Sequence, residues 1–229
     1  GGTSLQLGEY SQDVTVDGNY FFNTGNNSWG IIALENTNIK DFIDNRPWFD
    51  TTNGYTPTQN IIISNNIIKR PATEVTQGTG IFIYGDLTLP AGFDEATMEN
   101  VVISNNTISN CINGIVFSCR YLRGCIVESN TFKGIPLTVD STTVAADFKS
   151  RRAIAVPDGY EHMLDQTRVS INGNYFSKYA YVFGIKPSNG GSAEGGGQTG
   201  YLYRPSWCFS NNGIESCADL AYKTESGYW

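Results

Sequence analysis

Three carboxylates at matching points of the chain, Glu35, Asp86 and Asp158, are the residues best suited to chemistry in this sequence. Each follows a short apolar run (residues 30–34, 80–84 and 153–156), and Arg120 takes the corresponding place after residues 114–118. Lys186 follows the next run. If the runs are strands lying side by side, acids on adjacent strands have backbones ~5 Å apart, and acids two strands apart ~10 Å. These separations bracket the ~5.5 Å between the carboxyls of retaining glycosidases and the ~6.5–9.5 Å of inverting ones. Glu35 with Asp86 suits the first geometry, and Asp86 with Asp158 across Arg120 suits the second. A neighbouring guanidinium keeps one carboxylate ionised as a base, while a less solvated partner stays protonated as an acid. The competing reading is that polar residues at strand ends merely face water.

Ile32, Phe82 and Val116 are expected to form an outward apolar column, covered by an insertion loop or another subunit; alternatively it floors a sugar groove in which Trp29, Trp48, Tyr84 and Tyr121 stack on pyranose faces. Arg151 and Arg152, beside Lys149, read first as a solvated loop cluster, with an acidic sugar or the neutralised uronate of a lyase as the functional alternative. His162 is the single histidine and lies next to Glu161 in a loop-like segment. Cys111, Cys119, Cys125, Cys208 and Cys217 show no C-x-x-C spacing, so they read as buried free thiols rather than zinc ligands, with a Cys208–Cys217 bridge as the oxidised alternative. Asp41 and Asp44 lack the further ligands of a calcium loop, and the glycine-rich residues 188–200 have no phosphate-loop ending. No nucleophile elbow occurs. The expectation is catalysis or binding without a cofactor or metal.

The elements that position these residues announce themselves as a repeat. One eight-residue pattern occurs six times, at residues 14–21 (VTVDGNYF), 61–68 (IIISNNII), 101–108 (VVISNNTI), 125–132 (CIVESNTF), 169–176 (VSINGNYF) and 207–214 (WCFSNNGI). Its first, third and eighth positions are always apolar, its fourth is polar and its sixth is always Asn. The intervals between the six Asn residues are 47, 40, 24, 44 and 38, a period that changes only by insertion, as in solenoids. Alternation puts positions one and three on an inner face. Position six, Asn, is expected to turn the chain in the left-handed conformation, and stacked copies to form an amide ladder: Asn19, Asn66, Asn106, Asn130, Asn174 and Asn212. The apolar run after each repeat reads as a second strand, with weaker copies at 182–185 and 218–222, and the variable segments are expected to hold the third side. Residues 36–59, 134–166 and 188–200 are the insertions, and no domain boundary separates them.

Composition agrees. The 229 residues include 22 Asn, 25 Gly, and 33 Ile plus Val against 10 Leu, which favours strands over helices. No apolar stretch reaches the length of a membrane span, and the formal charge of −7 disfavours nucleic acid as a partner. The opening Gly1-Gly2 without Met or an apolar leader suggests an excised fragment or a tag scar.

Six copies of Asn-x-[Phe/Ile] after an alternating strand, most of them followed by a glycine-led apolar run, resemble the right-handed parallel β-helix of polysaccharide-acting proteins, most of all bacteriophage tailspike depolymerases. The resemblance covers roughly residues 14–222, and departs from the group in having no capping helix before Val14. It implies an all-β solenoid of about six coils with inserted loops, a bacterial capsular polysaccharide or lipopolysaccharide as substrate, a homotrimer, and a place on the virion or outside the cell. Three activities remain open on this resemblance: hydrolysis through paired carboxylates, a lyase using Arg or Lys, and a non-catalytic glycan-binding or structural spike.

Overall fold

The computed structural model describes residues 3–8, 11–22, 30–36, 58–71, 78–85, 98–119, 122–135, 151–156, 166–185, 207–217 and 219–222. These form nineteen strands and no helix, arranged as three parallel sheets. The alternating half of each repeat builds one sheet of six: β2 (Gln12–Asp17), β5 (Thr58–Ser64), β8 (Met98–Ser104), β11 (Leu122–Glu128), β14 (Gln166–Asn172) and β17 (Trp207–Ser210). Its register follows the repeat residue for residue, with Ile61 beside Val101 and Ile63 beside Ile103. In the four inner copies, positions one and three are sealed from solvent, as the alternation requires: Ile61 and Ile63, Val101 and Ile103, Cys125 and Val127, Val169 and Ile171.

The second sheet lies inside the same repeat. Positions seven and eight open three-residue strands, β3 (Tyr20–Phe22), β6 (Ile67–Lys69), β9 (Thr107–Ser109), β12 (Thr131–Lys133), β15 (Tyr175–Ser177) and β18 (Gly213–Glu215), which pair in order. The third side of the structure is therefore built by the repeat, and not by the variable segments as expected. Strands this short carry one inward side chain each, here Phe21, Ile68, Ile108, Phe132 and Phe176, so they leave almost no periodicity to read; Ile214 takes the matching place on β18 but is exposed. Phe132 and Phe176 stack with centroids 4.9 Å apart.

The remaining sheet has seven strands: β1 (Leu5–Leu7), β4 (Gly30–Asn36), β7 (Thr79–Gly85), β10 (Asn113–Ser118), β13 (Arg152–Val156), β16 (Tyr181–Ile185) and β19 (Asp219–Tyr222). It contains the expected apolar runs, with β1 added in front. One expectation needs correction here. Gly30 pairs with Thr79 rather than Gly80, so Ile32 stacks on Ile81 and Ile115 in the core. The outward column is instead Ala33, Phe82, Val116 and Ala155. The three glycine-led runs look equivalent in sequence, but the first is displaced by one residue, and in a strand that exchanges faces. Ala33, Val116 and Ala155 are all buried, so this column does not floor an open groove.

The turns also differ from expectation by one position. Left-handed backbone occurs at position five, at Gly18, Asn65, Asn105, Ser129, Gly173 and Asn211, with φ between 53° and 68°. Position six leaves that task to its neighbour and turns its amide inward; Asn66, Asn106, Asn130 and Asn174 are each 1 % exposed. Buried amides need partners, and each of these has a full set. The backbone N–H and Nδ2 of Asn66 both donate to Oδ1 of Asn106, at 2.9 and 3.0 Å. Asn106 repeats this with Asn130 at 2.9 and 3.0 Å, and Asn130 with Asn174 at 3.0 and 3.0 Å. Asn19 and Asn212 close the column at its two ends. Each amide also ties back to the strand before it, as in the 2.8 Å bond from Asn106 Nδ2 to the Ile63 carbonyl.

All five cysteines are free, so the Cys208–Cys217 bridge is not formed. Burial pushes the Cys111 thiol up to about 12 and the Cys125 thiol higher still. Cys208 is exposed, whereas Cys111, Cys119 and Cys125 are enclosed. A thiol-specific chromogenic reagent at pH 8 is expected to titrate Cys208 within seconds, Cys217 more slowly, and the other three only after denaturant is added. Rapid reaction of three or more thiols in the native protein would contradict this packing.

Candidate functional site

The residues expected to act fall into two groups. Asp86, Asp158, Trp29, Trp48, Arg120 and Tyr121 lie outside the described residues, as do Lys149, His162, Asp41, Asp44 and Lys186. Glu35, Tyr84, Arg151 and Arg152 are described. Glu35 is half-buried in β4 and accepts a hydrogen bond from Gln6 Nε2. Its register partner on the next strand is Tyr84, which in turn pairs with Ser118. Asp86 comes two residues after Tyr84, so Glu35 and Asp86 are not equivalent in register. Tyr84 is half-buried, and its ring stacks on Phe82 with centroids 5.6 Å apart, which leaves less of it for a sugar.

Arg151 and Arg152 were expected in a loop, but Arg152 opens β13 and pairs with Asn113 and Tyr181. Its aliphatic stem lies where a side chain at Gly184 would stand, so Gly184 makes room for it. Arg151 is only 9 % exposed. Their run of charge looked like a solvated loop because the strand that follows is short and alanine-rich.

A different feature is open to solvent. The outer face of the short-strand sheet forms a groove of about 640 Å³ running across β6, β9, β12, β15 and β18. Each strand presents the same two outward positions along the stack, and the groove is lined by both on β6, β9 and β15 but by Lys133 alone of the pair on β12 and Glu215 alone on β18. One column reads Ile67, Thr107, Thr131, Tyr175 and Gly213; the other reads Lys69, Ser109, Lys133, Ser177 and Glu215. Lys178 stands just past Ser177, held at φ 60°. Ile67 and Tyr175 are 46 % and 37 % exposed, so apolar surface sits among hydroxyls and ammonium groups. Sequence reading missed this face. The signal was present as Lys at the position after the repeat in two of six copies, but without the short strands nothing placed those lysines on one wall.

On the neighbouring long-strand sheet, Ile62 and Ile126 are also exposed, beside a second polar ladder in which Asn60 Nδ2 donates to Asp13 at 2.9 Å and Asn100 Nδ2 to Asn60 at 3.2 Å. Arg123 and Glu99 bridge adjacent strands at 3.0 Å. These contacts satisfy one another. No group of His, Cys, Asp or Glu with metal-binding geometry occurs among the described residues. No family model, curated protein or solved structure matches the chain.

Proposed function

We propose that the chain is a right-handed parallel β-helix of the tailspike kind that binds bacterial surface polysaccharide and hydrolyses it, acting within a homotrimer on a phage particle or outside the cell. The observation that carries this reading is the set of continuous columns: three parallel sheets in constant register line up one residue per strand along the wall, the arrangement an extended polymer can track. Hydrolysis would fall to Asp86 and Asp158 as acid and base, with Arg120 holding one of them ionised. By sequence, Asp86 directly follows β7, while Arg120 and Asp158 each come two residues after β10 and β13.

A second reading, glycan binding without cleavage, is favoured by one particular observation. Glu35 pairs in register with Tyr84 and then Ser118, so no second carboxylate matches it on the described strands. Incubating the protein with a panel of capsular polysaccharides and lipopolysaccharides, then weighing the products, separates the possibilities. Hydrolysis adds the mass of water at each cut, and a lyase leaves an unsaturated sugar absorbing in the near ultraviolet. Asp86→Asn and Asp158→Asn are each expected to lower hydrolysis about a hundredfold, within the range general acid–base catalysis supplies. Undiminished cutting by both variants would remove the carboxylate assignment, and an intact glycan that nevertheless binds would leave only the second reading.

A further inference from the structure

The charge in the groove on the short-strand sheet runs against the charge of the whole chain. The protein carries a formal charge of −7, yet this face presents Lys69, Lys133 and Lys178, with Glu215 as the groove's one acid. All three lysines are exposed, and none of them forms an ion pair among the described residues. The three cations therefore remain available to an outside anion. Each would be weak alone, since an exposed pair contributes little, but they share one wall with fixed spacing.

That spacing comes from the backbone. Lys69 and Lys133 occupy the same column two strands apart, so their Cα atoms are separated by roughly 10 Å. Ser109 lies between them; Ser177 beyond is buried, its hydroxyl donating to the Phe132 carbonyl at 3.3 Å. Thr107, Thr131 and Tyr175 run alongside, with the Tyr175 ring open to solvent. Two cations spaced two strands apart, Lys178 just past the following strand, a hydroxyl between the first two and an exposed ring next to them match a chain with about one negative charge per disaccharide. The hydroxyls suit sugar hydroxyls, and the ring suits the C–H face of a pyranose.

We propose that this groove binds an acidic polysaccharide, whose anionic groups meet Lys69, Lys133 and Lys178 along the stack. The inference rests on the glycan-binding reading above and names its substrate class. It requires nothing of the carboxylates.

Fluorescent oligosaccharides of a polymer alternating uronate with N-acetylhexosamine provide the probe, alongside the same oligosaccharides methyl-esterified on the uronate. The acid form should bind at low salt and the ester at least tenfold more weakly. The triple variant Lys69→Gln, Lys133→Gln, Lys178→Gln should lose about tenfold in affinity for the acid form, and raising the salt should narrow the difference from wild type. Equal binding of acid and ester overturns the proposal while leaving glycan binding standing. Absence of binding to either form, or to any member of the capsular panel, overturns both. Equally tight binding of a single-stranded oligonucleotide of the same charge, lost in the same variant, would assign the groove to another class of polyanion. Sedimentation of wild type and variant completes the test: a variant that falls to a smaller oligomer while binding the acid form normally would make this face a contact between subunits and overturn the assignment.

Discussion

Asn106→Ala is expected to cost about 3–5 kcal/mol, a large share of the 5–15 kcal/mol that holds a typical domain together. The estimate follows from counting what loses a partner. Oδ1 of Asn106 accepts both the backbone N–H and the Nδ2 of Asn66, at 2.9 and 3.0 Å. Its own Nδ2 donates to the Ile63 and Ser104 carbonyls and to Asn130 Oδ1. Truncation to Ala leaves two donors on Asn66 and the Ile63 carbonyl without these partners, in a place that water reaches poorly. Each such group costs about 1–3 kcal/mol when buried. Asn212→Ala at the end of the same column is expected to cost only about 1 kcal/mol, because Asn212 is half-exposed and water can replace it. Urea unfolding of the two variants checks the difference. Similar midpoints would mean that the ladder is decoration rather than support.

A comparable loss is expected from Gly134→Ala, for a steric reason. A Cβ built on Gly134 would lie 2.1 Å from the backbone oxygen of Lys178 and 2.8 Å from its carbonyl carbon. That oxygen belongs to the next turn of the chain, which cannot retreat: Gly134 N–H donates to the Ser177 carbonyl at 2.8 Å, and β12 and β15 are paired just before it. A collision with fixed backbone is relieved only by parting the two strands, so about 3 kcal/mol or more is expected. Two other glycines calibrate the result. Gly8→Ala meets nothing within 4 Å and has an ordinary backbone, so it should change stability by less than about 0.5 kcal/mol. Gly18→Ala also meets nothing, but φ is +68°, and the left-handed conformation alone should cost about 1–2 kcal/mol. If all three variants melted alike, close approach of successive turns at Gly134 could not be the reason glycine stands there.

How much of this could be read from residues alone depends on how many positions carried each signal. Six copies of Asn at one position, flanked by apolar residues with strand alternation, were enough to place Asn66, Asn106, Asn130 and Asn174 in one column and to pair the long strands correctly. The short strands at 67–69, 107–109 and 131–133 escaped because three residues contain a single inward side chain, which is no period at all. The invariant Asn looks like the turn residue, but the left-handed residue is the one before it; there Gly, Asn and Ser alternate, since the backbone needs only tolerance of positive φ. Aligning the glycine-led runs by their glycines places Ile32 outside, whereas Gly30 pairs with Thr79.

The candidate site was less legible for a related reason. Residues that meet across a stack are 24 to 49 positions apart in sequence, so a column such as Lys69, Ser109, Lys133, Ser177 exists only after every register is known. An error of one residue in a single strand sends a side chain to the opposite face. Glu35 illustrates this: its neighbour is Tyr84, two residues short of Asp86, the acid its sequence position suggests.

The amide column has a further property that follows from which atom faces which. In every link the donor belongs to the earlier residue and the acceptor to the later one, from Asn19 through to Asn212. The bond dipoles therefore add along one direction, and hydrogen bonds joined in this way polarise one another. The column has a sense, like an arrow: one extremity offers an oxygen, the other an N–H. Anything that prolonged it by the same bonding would have to arrive head-to-tail, and a unit presented the other way round would set like against like.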